Sequence, residues 1–326
     1  MPDESSPPGG QTGAKSSHPR YERLLAAARL LPPTRTAVIH PCDEASLEGV
    51  VEAVKLGLIE PVLVGPAARI REVAERAKLD ISSMEIVESL HSHDSAAKGV
   101  ALAREGRVDA LMKGSLHTDE VMAAVVPGAT GIRTGRRISH CFVMDVPGHS
   151  DPLIITDAAV NIAPTLDEKV DIVQNAIDLA HAMRFPEVRV AILSAMETVT
   201  SKVPSTIEAA ALCKMADRGQ ITGAILDGPL ALDNSISPEA AAIKKIVSPV
   251  AGRANVLVVP DLEAGNMLAK SLSFLAGAEA AGIVLGARVP IILTSRADSL
   301  LSRLASCAVA SLVAEARRHP AGGSLG

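Results

Sequence analysis

The chain has 326 residues, 48% hydrophobic and 21% charged, a balance that specifies a globular protein with a sizeable core, of one large or two smaller units, and disfavours disorder. Aromatic residues amount to 1%, with Tyr21, Phe142, Phe185 and Phe274 as the whole set, no Trp, and a formal net charge of -5. A chain so poor in aromatic faces, with no general positive charge, lacks the means to stack bases or hold phosphate backbones, which argues against nucleic-acid binding. Cys42, Cys141, Cys213 and Cys307 lie far apart, with no C-x-x-C pair and no His at metal-ligand spacing; reduced thiols, a cytoplasmic location and no metal site are expected. No apolar run reaches the roughly 18 to 20 residues of a membrane helix.

The chain opens with MPDESSPPGGQTGAKSSHPR, which has no apolar signal core and is expected to form a disordered leader over residues 1–19. Short β-branched runs then alternate with helical patterns, the sequence form of a parallel sheet with crossover helices. TAVIH, PVLVG and DALMKG are predicted strands of the first half; VRVAILS, ITGAILD, NVLVVP, AGIVLG and PIILT follow in the second. Between the halves, ISHCFVMDVPGHSDPLIITD carries two apolar runs joined by a Pro/Gly/Asp turn and predicts a hairpin leading out of a first domain, with a boundary near residue 150. Thr165 with Glu168, and Ser205 with Glu208, have capping-box spacing. A last helix over 298–317 follows the final strand without a linker and is expected to pack back on the first domain.

In an open α/β sheet, ligands sit outside the carboxyl ends of the strands. The polar residues expected there are Lys113, Gly114, Ser115, His117 and Thr118; Asp157 and Asn161; Ser194 and Glu197; Asp227, Asp233 and Asn234; Asp261, Glu263 and Asn266; and Ser295, Arg296 and Asp298. Their common placement predicts one polar sheet edge. Ser, Asp and Asn also favour helix N-caps, and Asp298 and Asp261 are both placed to cap. Arg296 does not fit a cap, because a cation opposes the dipole of a helix N-terminus; it suits an anion. Lys113 beside Gly114 combines close backbone approach with a point charge suited to phosphate. Arg133, Arg136 and Arg137 form a run that is either a solvated face or a phosphate patch. His117 and His140 lack the spacing of a triad and suit structural or phosphate-donor roles. The glycines match neither G-x-x-x-x-G-K-[ST] nor G-x-G-x-x-G, which disfavours a P-loop or a standard dinucleotide fold.

Several long blocks, LMKGSLHTDEVM, LIITDAAVNIAPTLDEKVDIVQNAIDLAHAM, KMADRGQITGAILDGPLALDNSIS, VVPDLEAGNMLAKSLSFLAGAEAAGIVLGARVPIILTSRADS and RLASCAVA, resemble the phosphate acetyl/butyryltransferase family. They are most similar to the phosphotransacetylase-like module of bifunctional enoyl-CoA hydratase/phosphate acetyltransferases, with no counterpart of the hydratase domain expected in so short a leader. The resemblance implies a two-domain α/β fold like isocitrate and isopropylmalate dehydrogenase, with mostly parallel sheets and a cleft between domains spanning 20–149 plus 298–326 and 150–297. It implies a homodimer that reversibly transfers a short acyl group, acetyl or butyryl, between coenzyme A and inorganic phosphate. Coenzyme A is then a substrate, and neither metal nor other cofactor is implied; a separate enoyl-CoA hydratase is a further conceivable partner.

The resemblance places Ser295 and Arg296 on the family's catalytic Ser-Arg pair. Arg296 would hold the phosphate in a bidentate fork and Ser295 would donate to the thioester carbonyl or the sulfur, with phosphate attacking directly. Lys113, Gly114, His117, Thr118, Arg133, Arg137, Asp157, Asn161, Asp227, Asn234, Glu263 and Asn266 are the candidate phosphate and coenzyme A contacts. Two positions depart from the pattern. The family's acidic residue six positions after the Arg is Ser302 here, which leaves Asp298 as the candidate base, and an arginine of the butyryltransferase branch is Ala123, with Arg133 or Arg137 as replacements. Two other functions fit parts of the pattern. One is a weakened homologue binding coenzyme A or acyl phosphate as sensor or scaffold; the other is a dehydrogenase of the same fold, which would need paired acidic metal ligands.

Overall fold

The computed structural model describes residues 18–295 and 297–319. Residues 1–17 of the expected leader, and Arg296, lie outside the described residues. His18 is buried and Pro19 opens the first helix, α1 (Pro19–Ala28), where its fixed φ and missing N–H are tolerated. The order continues β1 (Thr34–Ile39), α2 (Glu44–Lys55), β2 (Ile59–Gly65), α3 (Ala67–Arg76), β3 (Glu85–Glu88), α4 (Ser92–Arg104), β4 (Ala110–Lys113), α5 (Thr118–Val125), β5 (Ser139–Asp145) and β6 (Leu153–Thr156). It ends with α6 (Leu166–Ala182), β7 (Arg189–Leu193), α7 (Pro204–Asp217), β8 (Ile225–Leu230), α8 (Leu232–Ile236), α9 (Pro238–Ile243), β9 (Val256–Val258), α10 (Leu262–Ala276), β10 (Glu279–Leu285), β11 (Ile291–Ile292) and α11 (Leu300–Arg318).

The expected mostly parallel α/β architecture is present as one eleven-stranded sheet in the order β3-β2-β1-β4-β11-β10-β5-β6-β9-β7-β8. The predicted strands all form, and β3, whose four residues are too few and too polar to stand out, is an addition. Strands β3, β2, β1, β4 and β11 run parallel, as do β6, β9, β7 and β8. Between them β10 is antiparallel to both β11 and β5, and β5 to β6, so the two parallel blocks point in opposite directions. The carboxyl ends therefore lie on two opposite edges, which corrects the expectation of one polar edge. The predicted hairpin, β5–β6, is the element that makes the reversal.

The Thr165–Glu168 capping box forms, whereas the one expected at Ser205 does not. Pro204 starts α7 a residue before Ser205, whose hydroxyl meets that of Ser194 at 2.8 Å, while Glu208 pairs with Lys169. The last helix, α11, is buried without a break from Ser302 to Ala314 and packs on α1, α2, α6 and β10. A helix enclosed on all sides carries few charges and satisfies its polar groups locally: Ser306 and Ser311 donate to the carbonyls of Ser302 and Cys307, at 2.7 and 3.0 Å.

Candidate active site

Strands β4 and β11 are neighbours, so the segments that follow them emerge side by side on one edge. After β4, the Lys113–Gly114 turn presses on the end of β1: Gly114 and Ser115 donate to the carbonyls of Ile39 and His40, at 2.9 and 3.0 Å. A Cβ on Gly114 would stand 2.6 Å from the Ile39 oxygen, so the close approach this glycine permits is to the protein's own backbone. The turn delivers the buried Lys113 to the edge, and α5 begins behind it, with the His117 N–H donating to Glu120 Oε2 at 2.8 Å.

After β11 the chain makes a tight turn. Asp298 Oδ2 accepts the Ser295 N–H at 2.6 Å, the Asp298 N–H donates to the Ser295 carbonyl at 3.2 Å, and Ser295 Oγ accepts the Ala297 N–H at 3.3 Å. Ser299, not Asp298, caps α11, accepting the Ser302 N–H at 3.0 Å. Asp298 is thus freed for the turn and the cleft. Burial pushes its carboxyl above the ordinary range, and the negative charge of Glu279 adds to this against the opposing Ser295 N–H, Arg303 and Lys113.

A cleft of about 760 Å³ opens here. Among the predicted residues it is lined by Lys113, His117, Thr118, His140, Asn266, Ser295 and Asp298, and it also takes in Lys270, Glu279, Ser299 and Ser302. His140 stands edge-on to Phe142, with ring centroids 4.4 Å apart, and burial depresses its imidazole to about 4, so it is neutral in the folded protein. Asn266 donates to the Ala158 carbonyl at 3.1 Å.

Glu279 was invisible to a search of carboxyl ends because it starts a strand. β10 runs antiparallel to β11, so its first residue lies past the last residues of β11 and β4, on the edge where those strands end. A polar residue two positions after the left-handed Gly277, at the head of an apolar run, is the signal that marks it.

The remaining candidates lie elsewhere. Asp157 and Asn161 follow β6 and do not themselves line the cleft, although Ala159 between them does; Asp157 accepts the N–H groups of His140, Ala159, Val160 and Asn161, and Asn161 donates to the Ile138 carbonyl at 2.8 Å. Arg137 completes this network through Asn161 Oδ1 at 2.7 Å and Glu168 at 2.9 Å. These three residues build a junction between β5, β6 and α6. Arg133 is exposed, its backbone bridged to Ala287, and neither arginine is among the residues lining the cleft. Arg136 pairs with Asp178 and lines a separate cavity of about 840 Å³. Asp227 accepts the N–H of Gly228 at 2.8 Å, and Asn234 donates to Glu197, both in the β7–β8 region. Glu263 is exposed in the first turn of α10, behind the Asp261 cap. Among the described residues no group of three His, Cys, Asp or Glu side chains is placed to hold a metal, and no helix is long and apolar enough to cross a membrane.

Residues 90–311 match the family model described as phosphate acetyl/butaryl transferase. The chain is 68% identical over 299 residues to a phosphate acetyltransferase of Rhizobium meliloti, covering 92% of this chain and 95% of that one. It is 39% identical over 294 residues to a phosphate butyryltransferase of Clostridium beijerinckii, covering 90% and 97%. The crystal structure of a branched-chain phosphotransacylase from Enterococcus faecalis V583 superposes with a TM-score of 0.76 at 27% identity, over 86% of this chain and 99% of that one.

Proposed function

The chain belongs to the phosphate acetyl/butyryltransferase family and is an acyltransferase, and on that premise we propose that it moves a short acyl group, acetyl in preference to butyryl, reversibly between coenzyme A and inorganic phosphate by direct attack in a ternary complex. The higher identity to a protein named as an acetyltransferase supports acetyl. The observation that carries the site is the adjacency of β4 and β11, which puts Lys113 and the Ser295–Asp298 turn in one cleft.

In this mechanism Lys113 and Arg296 neutralise the phosphate, which needs no metal, and Ser295 Oγ donates to the thioester oxygen as charge develops on it. The thiolate leaves as the phosphate–carbon bond forms. Asp298, whose proton affinity burial has raised, delivers a proton to the sulfur, and takes it from the thiol in the reverse direction. His117, Thr118 and Asn266 line the bound substrates. The proposal extends to a cytoplasmic homodimer and to domains of 20–149 plus 298–326 and 150–297, supported by the reversal at β5–β6 and by the packing of α11 on α1 and α2.

The test is thioester formation from acetyl phosphate and coenzyme A by the purified full chain without added metal, repeated with butyryl phosphate. Turnover with acetyl phosphate favoured is the expected result; coenzyme A binding without turnover would overturn it. Arg296→Ala should lower the rate on the order of a hundredfold with the fold intact.

A further inference from the structure

We propose that Glu279 is a second catalytic carboxylate of this cleft, the base that removes the proton of the attacking phosphate, held in place by Ser302 and Ser299. The inference rests on the acyl transfer proposed above. Its starting point is a proton count. Hydrogen phosphate enters with one O–H, the acyl phosphate leaves without it, and the departing sulfur gains a proton. Thioester breakdown therefore needs one group to take a proton from phosphate oxygen and one to give a proton to sulfur. Asp298, shifted toward its protonated form, suits the second task, and an ionised carboxylate suits the first.

The structure builds a mount for such a carboxylate. Ser302 Oγ and Ser299 Oγ both donate to Glu279 Oε2, at 2.6 and 2.5 Å, and Oε1 takes no hydrogen bond among the described residues while the side chain lines the cleft. The strand beneath is fixed by the same helix. β11 is only two residues long, so β10 runs beyond it, and the Ala280 and Gly282 N–H groups are instead accepted by Ser302 Oγ and Ser306 Oγ, at 3.1 and 3.0 Å. Tyr21 of α1 donates to the Glu279 carbonyl at 3.0 Å. Two hydrogen bonds thus hold one half-buried carboxylate and three more fix the strand that carries it, an arrangement that a solvated surface glutamate does not need.

The described ionisable groups around it are Asp145, its register partner on β5 and already paired with Arg20; Tyr21 on α1; Asp298 on the turn; Arg303 on α11; Lys113 on β4; and Lys270 on α10. In thioester breakdown the nucleophilic phosphate oxygen bonds to the acyl carbon and the carbon–sulfur bond breaks. The phosphate proton goes to Glu279 and the Asp298 proton to sulfur. The pair begins and ends with one proton, so its net charge is constant through the step, and solvent in the cleft returns the proton from Glu279 to Asp298.

The experiment compares the full-length protein with Glu279→Gln in acetyl-CoA plus inorganic phosphate at several pH values, with coenzyme A affinity measured by calorimetry. Gln keeps the oxygen that accepts from both serines but cannot take a proton. Expected are a fall in kcat of about a hundredfold near neutral pH and coenzyme A affinity within about twofold of the parent. The parent-to-variant rate ratio should shrink, by up to about tenfold per pH unit, as hydroxide replaces the missing base. The ionisation of phosphate is common to both proteins and cancels in that ratio, and the same comparison made in an Asp298→Asn background removes the Asp298 ionisation that loss of the Glu279 charge would shift. A rate within about threefold of the parent, or a ratio independent of pH, would overturn the assignment. Glu279→Asp guards against misfolding: it keeps the charge, so its rate should fall about tenfold with a pH-independent ratio, and parent-like turnover would count against the proposal. The parent protein's turnover in the same assay separates failure of this inference from failure of the acyl-transfer proposal.

Discussion

Asp298 Oδ2 accepts the backbone N–H of Ser295 at 2.6 Å, so the residue proposed to handle the thiol proton also shapes the turn that presents the proposed oxyanion donor. Burial raises the Asp298 carboxyl above its unfolded value. A raised carboxyl keeps its proton to higher pH, so in thioester breakdown the parent enzyme should lose activity as pH rises through the folded value. Asp298→Asn should flatten that alkaline limb and lower kcat on the order of a hundredfold, read from pH–rate profiles. By the same sign, the ionised form costs stability above the unfolded value, so the variant should melt no lower than the parent at neutral pH.

Ser295→Ala removes the hydroxyl donor and the acceptor of the Ala297 N–H, and leaves the Asp298 bond to the backbone in place. Its kcat should fall by roughly 10² to 10³, as for loss of one oxyanion donor, with coenzyme A affinity little changed. Single-turnover kinetics beside calorimetric binding would check it, and an equal loss of affinity would show uniform binding instead.

Gly114→Ala would place a Cβ 2.6 Å from the Ile39 oxygen and 2.7 Å from that of His40. Backbone atoms cannot rotate away, so the Lys113 turn must lift from β1. The expected cost is about 2 kcal/mol or more in urea denaturation, with a raised KM for phosphate because Lys113 moves with the turn. Unchanged stability and KM would show that the turn is softer than its contacts indicate.

His140 is depressed by burial to about 4, against an unfolded value near 6.5. Between these values the unfolded chain binds the proton and the folded one does not, so stability should fall as pH drops from about 6.5 toward about 4. His140→Gln, which cannot titrate, should flatten this part of the profile in denaturation measured at several pH values.

What could be read in advance follows from the range of each interaction. Capping is local, and Thr165 with Glu168 behaves as its spacing implies, yet Pro204 moved a helix start by one residue and voided the similar pattern at Ser205. Lys113, His117, Thr118, Asn266, Ser295 and Asp298 were legible as candidates because each follows a strand, and they do share the cleft. Asp157, Asn161 and Asp227 carried the same local signal and do not line it, whereas Asn266, which follows β9 of the same parallel block, does, since which strand-end residues meet is not encoded next to any of them. Ser302 stood out as a departure from an expected acid. Its acidic neighbour, Glu279, comes from a strand 23 residues earlier, joined to it only by the packing of α11 on β10.

The sequence by itself determined the α/β class, the placement of strands and the residues able to do phosphate and thioester chemistry, because hydrophobic period and side-chain chemistry act over a few residues. Only the tertiary structure decided which of those residues meet. Three antiparallel pairings, β11–β10, β10–β5 and β5–β6, turn half of the sheet over, moving some carboxyl ends out of the cleft, and the first of them brings the head of β10, with Glu279, into it. Strand order and direction come from burying the whole sheet at once, and no local stretch of the chain contains that information.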